Sequence, residues 1–143
     1  MRATPQTYAI TLVCHERMRL FQRETNANLM IATLYRYRDA GRFLLHGFVI
    51  MPDHAHLLLS PTASLEQTIG IIKGGYSFAM RKQFRHSVWQ EGYYAHRIID
   101  ESDFDNQLAY IAANPERRRL IDCPYVHTRT EFILDPKPLH LGG

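Results

Sequence analysis

Residues 42–60, RFLLHGFVIMPDHAHLLLS, carry the pattern on which the fold prediction rests. The apolar run over residues 42–51 predicts a strand, and Pro52–Asp53 predicts a tight corner after it. Residues 54–60 then predict a second strand. Because so short a corner brings its flanking strands side by side, the two strands are expected to pair as an antiparallel hairpin.

Before this hairpin, the chain shows one strand pattern and one helix pattern. Residues 8–14, YAITLVC, alternate in character and are rich in strand formers, which predicts a strand. Residues 25–40 have apolar side chains at helical spacing, and Gly41 is a stop signal for the predicted helix. The hairpin is therefore preceded by a β-α unit.

After the hairpin, the patterns predict a helix, an extended segment and a final helix. Ser64 and Gln67 form a capping box at the start of the first of these helices. Its predicted buried stripe consists of Leu65, Ile69, Ile72, Tyr76 and Ala79. Residues 89–99 are expected to be extended, and residues 101–114 to form a helix that Pro115 ends.

The predicted order is β-α-β-β-α-β plus a helix, which indicates an α+β protein with a ferredoxin-like fold. In that fold the helices cover one face of an antiparallel sheet and leave the other face available. We expect one domain over residues 1–143, with a core at about residues 8–121 and a tail at residues 122–143. The fold alone does not decide the function.

The composition excludes several classes of protein. Hydrophobic residues make up 45% and charged residues 22%, as in soluble globular proteins. No apolar run approaches the roughly 18 residues that a membrane helix needs, and the first residues lack the pattern of a secretory signal. We therefore expect a cytoplasmic protein without membrane contact. Cys14 and Cys123 are too few for a disulfide scaffold, and both are expected to be reduced.

The basic residues are mostly arginine: the 17 basic side chains comprise 14 Arg and 3 Lys, and the net charge is +3. Arginine suits bidentate phosphate contacts and stacking on bases, although a GC-rich genome would also enrich it. A basic face on the second long helix, a basic cluster after the final helix and one arginine between them are candidate DNA contacts. These residues are Lys73, Arg81, Arg85, Arg97, Arg117, Arg118 and Arg119. A simple solvated charged surface would show the same pattern.

His54 and His56 occupy alternate positions of one predicted strand, so both side chains emerge on the same face. Ala55, Leu57 and Leu59 are expected on the opposite face, against the helices. Two imidazoles in this register can bind a single divalent ion. A pair of surface histidines is the alternative, and the pair alone does not decide between the two.

Tyr110 and Asn114 lie four residues apart on the final predicted helix, which places one above the other, about 6 Å along the axis. The side-chain oxygen of Asn114 could complete a metal site with the two histidines. Tyr110 could then attack a phosphate whose charge the ion draws away, forming a covalent phosphotyrosine. The alternative is a tyrosine at the edge of the core, followed by an asparagine that terminates the helix.

Three segments together resemble the single-tyrosine HUH transposases. The segment MPDHAHLLL at residues 51–59 is similar to the family signature Met-Pro-Asn-His-x-His-Leu-Leu. WQEGYYAHR at residues 89–97 and YIAANP at residues 110–115 resemble further blocks of the family. The form Tyr-Ile-x-x-Asn-Pro is typical of the REP-associated tyrosine transposase branch, whereas glutamine usually stands at the position of Asn114 in insertion-sequence enzymes. The resemblance extends over about residues 8–121.

The resemblance implies both a chemistry and a substrate. It implies that His54, His56 and Asn114 bind Mg²⁺ or Mn²⁺. Tyr110 would cleave single-stranded DNA, leaving a 5′-phosphotyrosine and a free 3′-hydroxyl. The implied partner is hairpin DNA such as repetitive extragenic palindromes, and family members occur as homodimers or as monomers. Two features depart from the family: Asp53 replaces the usual Asn, and the tail lacks the common Tyr-Pro-Trp-Ser-Ser block.

Our leading hypothesis is a metal-dependent DNA strand transferase or nickase that uses Tyr110. The main alternative is a catalytically silent module that binds nucleic-acid hairpins on the same fold. A third hypothesis, a metal hydrolase without a covalent step, leaves Tyr110 unused. The intact set of His54, His56 and Tyr110 favours the enzyme, because a protein that only binds nucleic acid would not need it.

Overall fold

The structure, a computed structural model, describes residues 6–117, 126–127 and 134–138. Two short 3-10 turns, His15–Arg17 and Leu20–Gln22, join the first strand to the first helix. The strands and helices, in chain order, are β1 (Tyr8–Val13), α1 (Glu24–Asp39), β2 (Phe43–Met51), β3 (His54–Pro61), α2 (Leu65–Ala79), β4 (Tyr94–Arg97), α3 (Glu101–Arg117) and β5 (Val126–His127). The predicted order of strands and helices is confirmed.

The five strands form one antiparallel sheet in the order β4-β1-β3-β2-β5. Its first four strands have the ferredoxin-like arrangement that the sequence predicted. The hairpin of β2 and β3 turns at Pro52–Asp53 and pairs Met51 with His54. Two features were not predicted: β5 adds to the edge of the sheet beside β2, and the register shifts between Leu45 and Gly47, a bulge that inserts one residue into β2.

The helices α1 and α2 pack on one face of the sheet. A capping hydrogen bond from the Gln67 amide to the Ser64 hydroxyl starts α2, as predicted. Ala79, predicted to be buried, is exposed because α2 ends there, and Met80 is buried instead. A Cβ on Gly75 would collide with a tyrosine ring of α1, so this glycine permits the close approach of the two helices. The core of this face includes Ile10, Leu12, Ala27, Met30, Leu34, Ala55, Leu57, Leu59, Ile69, Ile72 and Tyr76.

The third helix packs across the other face of the sheet. Phe104 and Ile111 of α3 bury a second apolar cluster that includes Val49 and Leu58 of the hairpin. The expectation that this face stays available is therefore wrong where α3 covers it, because its apolar side chains need burial. Pro115 does not end α3: the helix continues to Arg117, since a proline removes only one backbone donor.

Part of the predicted tail also contacts the sheet. Leu134 is buried in the core shared with α1 and α2, and the backbone amide of Asp135 donates to the carbonyl of Leu45 on β2. Cys14 is a buried thiol, and burial raises its pKa to about 12. Cys123 lies outside the described residues. Among the described residues, no helix has the length and hydropathy needed to cross a membrane.

Candidate active site

The strand β3 presents His54 and His56 on the face that α3 covers. The two ring centroids are 4.7 Å apart with the ring planes at 82°, and the Nε2 atoms are 3.2 Å apart. His54 is 3% exposed, whereas His56 is only partly buried. The two imidazoles therefore share one face of β3, as the alternation predicted, and their Nε2 atoms point at a common position.

Each imidazole of the pair is held through its other ring nitrogen. The Nδ1–H of His54 donates to Asp53 Oδ1 at 2.6 Å, because an ionised carboxylate can only accept. The Nδ1 of His56 lies 2.9 Å from Thr11 Oγ1, on the neighbouring strand β1. With its hydrogen on Nδ1, a neutral His54 directs the Nε2 lone pair towards His56. Such fixing of the distal nitrogen is typical of histidines that bind metal ions.

Asp53 adds a negative charge behind the histidine pair. Burial raises the pKa of this carboxyl, but the hydrogen bond from His54 and the ion pair with Arg17 outweigh burial, and the pKa lies below its usual value. The Arg17 guanidinium is 3.4 Å from Asp53 Oδ2. The carboxylate therefore stays ionised at neutral pH and orients the ring of His54.

The helix α3 brings Tyr110 against this pair. The ring centroids of Tyr110 and His56 are 5.5 Å apart and meet edge to face at 82°. Tyr110 is 40% exposed and lines an open cleft of about 270 Å³ together with His56, His96 and Gln107. The phenol is thus next to the histidine pair and also accessible from solvent. This is the arrangement that an attacking nucleophile requires.

Asn114 lies one helical turn beyond Tyr110 and is 3% exposed. Among the described residues, its Oδ1 atom is buried without a hydrogen-bond partner. An unpaired buried acceptor costs about 1–3 kcal/mol, so native structures rarely keep one without a reason. A cation bound at this oxygen would supply that reason.

The donor atoms fit a divalent ion. Two ligands held about 2.0–2.2 Å from one ion, at angles near 90–110°, lie about 2.8–3.6 Å apart. The Nε2–Nε2 distance of 3.2 Å in the histidine pair matches this range. Within the part of the chain that the structure describes, no three His, Cys, Asp or Glu side chains form a metal-binding group. A site here would therefore depend on the amide oxygen of Asn114 as its third protein ligand.

A second cleft, of about 440 Å³, follows the outer side of α2 and carries basic side chains. Lys73, Arg81 and Arg85 line it together with Phe78, which is 65% exposed. The Arg81 guanidinium lies 3.9 Å from the centre of the Phe78 ring. Lys73 has a further role, because its ammonium group donates to the carbonyls of Gln90 and Gly92 and so anchors the loop before β4.

Of the four remaining basic candidates, Arg97 is the one whose side chain the structure describes. Arg97 is exposed at the end of the edge strand β4, away from the cleft along α2. Arg117 is the last residue of α3, and only its backbone is described. Arg118 and Arg119 lie outside the described residues. The structure therefore groups three of the seven predicted basic residues along one cleft.

The sequence interpretation did not identify Thr11 or Arg17, and it did not pair Asp103 with His96. Thr11 faces His56 only because β1 pairs with β3, and strand pairing leaves no signal in a local pattern. Arg17 reaches Asp53 from a backbone with a φ of 52°, a left-handed conformation that no glycine or asparagine announces. Asp103 lies close to His96, with its two carboxylate oxygens 3.0 and 2.8 Å from the Nε2 atom. No local pattern links His96 to Asp103, because one lies on a strand and the other on a helix.

Comparison with known proteins adds a family match and two relatives. A family model described as "Transposase IS200 like" matches residues 3–114. An uncharacterized protein of Haemophilus influenzae is 28% identical over 142 residues, which cover 76% of this chain and 79% of the relative. A second protein of that organism, with the provisional name REP-associated tyrosine transposase, is 27% identical over 112 residues, covering 66% of this chain and 64% of its own.

Two solved structures share the architecture. One is a REP-associated tyrosine transposase bound to a REP hairpin, with a TM-score of 0.73 and 18% identity over 88% of this chain and 80% of that chain. The other is a provisionally assigned transposase from Deinococcus radiodurans R1, with a TM-score of 0.57 and 20% identity over 78% of this chain and 92% of that chain. At these identities the likeness shows the fold alone.

Proposed function

The chain belongs to the IS200-like transposase family, as its three sequence segments predicted, and from this membership we propose that it cleaves and rejoins single-stranded DNA through Tyr110. The observation that carries the proposal is the contact between the Tyr110 and His56 rings in an open cleft, with the buried ring of His54 directly behind. The proposed substrate is hairpin or palindromic DNA, supported by the REP hairpin that the structural neighbour binds.

In the proposed reaction, three side chains bind a metal ion and Tyr110 attacks the phosphate. His54, His56 and Asn114 would hold a Mg²⁺ or Mn²⁺ ion, which when bound draws charge from the non-bridging phosphate oxygens. The Tyr110 oxygen attacks phosphorus and the bond to the 3′ oxygen breaks, which leaves a 5′-phosphotyrosine and a 3′-hydroxyl. The covalent link keeps the energy of the phosphodiester, so a 3′-hydroxyl can later rejoin without a nucleotide cofactor.

The cleft along α2 supports a role in holding DNA. Its side chains combine positive charge with the exposed ring of Phe78, a combination that suits phosphates and unpaired bases. The loop that Lys73 anchors leads directly into β4, whose residues line the cleft of Tyr110. The proposed DNA contacts are Lys73, Arg81, Arg85, Arg97, Arg117, Arg118 and Arg119.

A covalent-adduct assay tests this function. The protein is incubated with Mn²⁺ and a labelled DNA hairpin that has single-stranded flanks, and a denaturing gel reports DNA bound covalently to protein. The wild type is expected to form the adduct and Tyr110→Phe to form none. Tyr94→Phe is the matched control, because it removes another exposed phenol from the same cleft.

The same assay separates the proposed function from its alternatives. An adduct that persists in Tyr110→Phe would exclude Tyr110 as the nucleophile. Tight hairpin binding without cleavage, in the presence of Mn²⁺, would favour a protein that only binds nucleic acid. Cleavage without an adduct in the wild type would favour a metal hydrolase.

A further inference from the structure

His96 and Asp103 form a hydrogen-bonded pair beside the candidate nucleophile. His96 extends from β4, and its Nε2 atom lies 2.8 and 3.0 Å from the carboxylate oxygens of Asp103, in the first turn of α3. His96 also lines the cleft that contains Tyr110 and Gln107. The pair therefore joins the edge strand to the helix of the nucleophile, at the cleft where the attack would take place.

Asp103 is itself held in place and stays ionised. Its carboxylate accepts the backbone N–H of Ile99 at 2.9 Å, and its own backbone N–H donates to Asp100 Oδ1 at 2.7 Å. Burial raises the pKa of this carboxyl, but the hydrogen bonds from Ile99 and His96 outweigh burial and bring the pKa below its usual value. An ionised carboxylate only accepts hydrogen bonds, so the Nε2 atom of His96 carries the hydrogen.

The hydrogen bond to Asp103 also determines which ring nitrogen of His96 can accept a proton. In a neutral His96 with hydrogen on Nε2, the Nδ1 atom has a lone pair, and no described residue donates a hydrogen bond to it. The Nδ1 atoms of His54 and His56 are, in contrast, engaged with Asp53 and Thr11. Of the three imidazoles at the site, His96 is therefore the one whose Nδ1 atom can accept a proton from a group in the cleft.

We propose that His96, oriented by Asp103, accepts the phenolic proton of Tyr110 during DNA cleavage and returns it during rejoining. The inference rests on the proposed function, because it requires Tyr110 to be the nucleophile. Phenols are mostly protonated at neutral pH, so a nearby base increases the reactive fraction of a tyrosine nucleophile. An imidazole oriented by a carboxylate is a common device for this purpose.

The proton and electron pairs balance in both directions. In cleavage, the Tyr110 oxygen bonds to phosphorus while its proton moves to His96 Nδ1. The bond between phosphorus and the 3′ oxygen breaks, and that oxygen leaves with the electron pair and takes a proton from water. In rejoining, a 3′-hydroxyl loses its proton to water and attacks phosphorus. The bond to Tyr110 then breaks, and the phenolate takes the proton back from His96.

The first test is His96→Gln, which keeps an amide donor for Asp103 but cannot carry the proton. Adduct formation is expected to slow by about 100-fold or more, in the range of general base catalysis. His15→Gln is the matched control, because His15 is an exposed histidine outside this cleft. Thermal unfolding and the affinity for uncleaved hairpin are measured alongside. If His96→Gln does not fold, Asp103→Asn serves instead, since the amide no longer fixes the tautomer of His96.

The decisive test places a fluorinated tyrosine, which has a more acidic phenol, at position 110 in both the wild type and His96→Gln. A phenol that is already ionised needs no base, so the defect of His96→Gln should shrink from about 100-fold to a few-fold. An equal defect with both tyrosines would overturn the proposal and assign His96 to DNA binding or to structure. Full activity of His96→Gln would also overturn it. The absence of any adduct in the wild type would instead contradict the proposed function of Tyr110.

Discussion

Two clusters of polar residues each contain a buried histidine on the face of the sheet that α3 covers, and they differ in whether every buried polar side-chain atom has a hydrogen-bond partner among the described residues. The first, the His46 cluster, contains Thr7, His46, Ser60, Arg38 and Asp135. The second, the His54 cluster, contains Asp53, His54, His56, Thr11 and Asn114. Both include a histidine that is almost fully buried and covered by α3. The comparison separates a cluster in which every buried polar side-chain atom is paired from one that contains an unsatisfied buried acceptor.

In the His46 cluster, hydrogen bonds run without interruption. His46 bonds through Nε2 to the hydroxyl of Ser60 at 2.8 Å, which in turn lies 2.7 Å from the hydroxyl of Thr7. The Nδ1 atom of His46 lies 3.1 Å from the backbone carbonyl of Asp135. The Asp135 carboxylate accepts two hydrogen bonds from Arg38, both at 3.0 Å. Such a satisfied network stabilises one packing of the sheet and has no need of a ligand.

In the His54 cluster, one buried acceptor lacks a partner among the described residues. The ring nitrogens of His54 and His56 contact Asp53, Thr11 and each other, but the Asn114 side-chain oxygen has no hydrogen-bond partner among the described residues. Incomplete pairing in a buried cluster costs stability that folding alone does not recover. The difference between the clusters therefore supports a cation-binding role for the second, and the following predictions test it.

The largest expected effect follows from His56→Ala. Adduct formation should fall to background, because the proposed ion loses a ligand and Tyr110 loses its ring contact. Mn²⁺ should raise the unfolding temperature of the wild type but not of this variant, since an ion that binds only the folded state stabilises it. Thermal unfolding with and without Mn²⁺ checks this. An equal rise in both proteins would place the ion elsewhere.

The matching change in the His46 cluster is Asp135→Asn, which should affect stability rather than metal binding. Loss of the charged hydrogen bonds to Arg38 is expected to lower the free energy of unfolding by about 2–3 kcal/mol. Asp39→Asn is the control, because Asp39 bonds the same arginine at the surface and should matter by less than about 1 kcal/mol. Urea unfolding measures both, and equal effects would contradict the structural role of the cluster.

The pH dependence of stability provides a second measure of the His46 cluster. Burial raises the pKa of Asp135, but the hydrogen bonds from Arg38 and from the Leu45 amide outweigh burial, and the pKa lies below its usual value. The folded state thus binds fewer protons than the unfolded state, so this stabilisation is present above about pH 4 and is lost as the pH falls through the lower folded pKa. Urea unfolding from pH 7 to pH 3 should show a smaller acid-induced loss in Asp135→Asn than in the wild type. Parallel curves would exclude Asp135 as a source of acid sensitivity.

The His54 cluster was predictable from the sequence to a greater extent than the His46 cluster, for physical reasons. Strand alternation is local, so it indicated that His54 and His56 share a face, and helical spacing placed Asn114 one turn from Tyr110. The histidine pair of β3 and the Tyr110–Asn114 pair of α3 come together only because α3 packs across the sheet. The apolar positions on that face, such as Leu58, require a cover but do not say which element provides it.

The His46 cluster depends on contacts that no local pattern contains. Asp135 and Arg38 are 97 positions apart in the sequence, and the segment around Asp135 shows no regular periodicity. The bulge in β2 shifts its alternation, so that Phe43 and Phe48 point to the same core although they are five positions apart in the sequence. His46 lies at this bulge and its side chain contacts Ser60 on β3, and the sequence predicted neither the bulge nor the contact.

The smallest expected effect follows from Asp53→Asn, which replaces the carboxylate behind His54 by the residue that the family usually has. The amide oxygen can still accept the Nδ1–H of His54, so the ring should keep its orientation, and only the negative charge is lost. We expect the affinity for Mn²⁺ to fall by about 10-fold or less, whereas Asp53→Ala, which removes the acceptor, should cost about 10–100-fold. Calorimetric titration of Mn²⁺ into each variant checks the order. An equal loss in both variants would show that the charge of Asp53, rather than its hydrogen bond, prepares His54 for the ion.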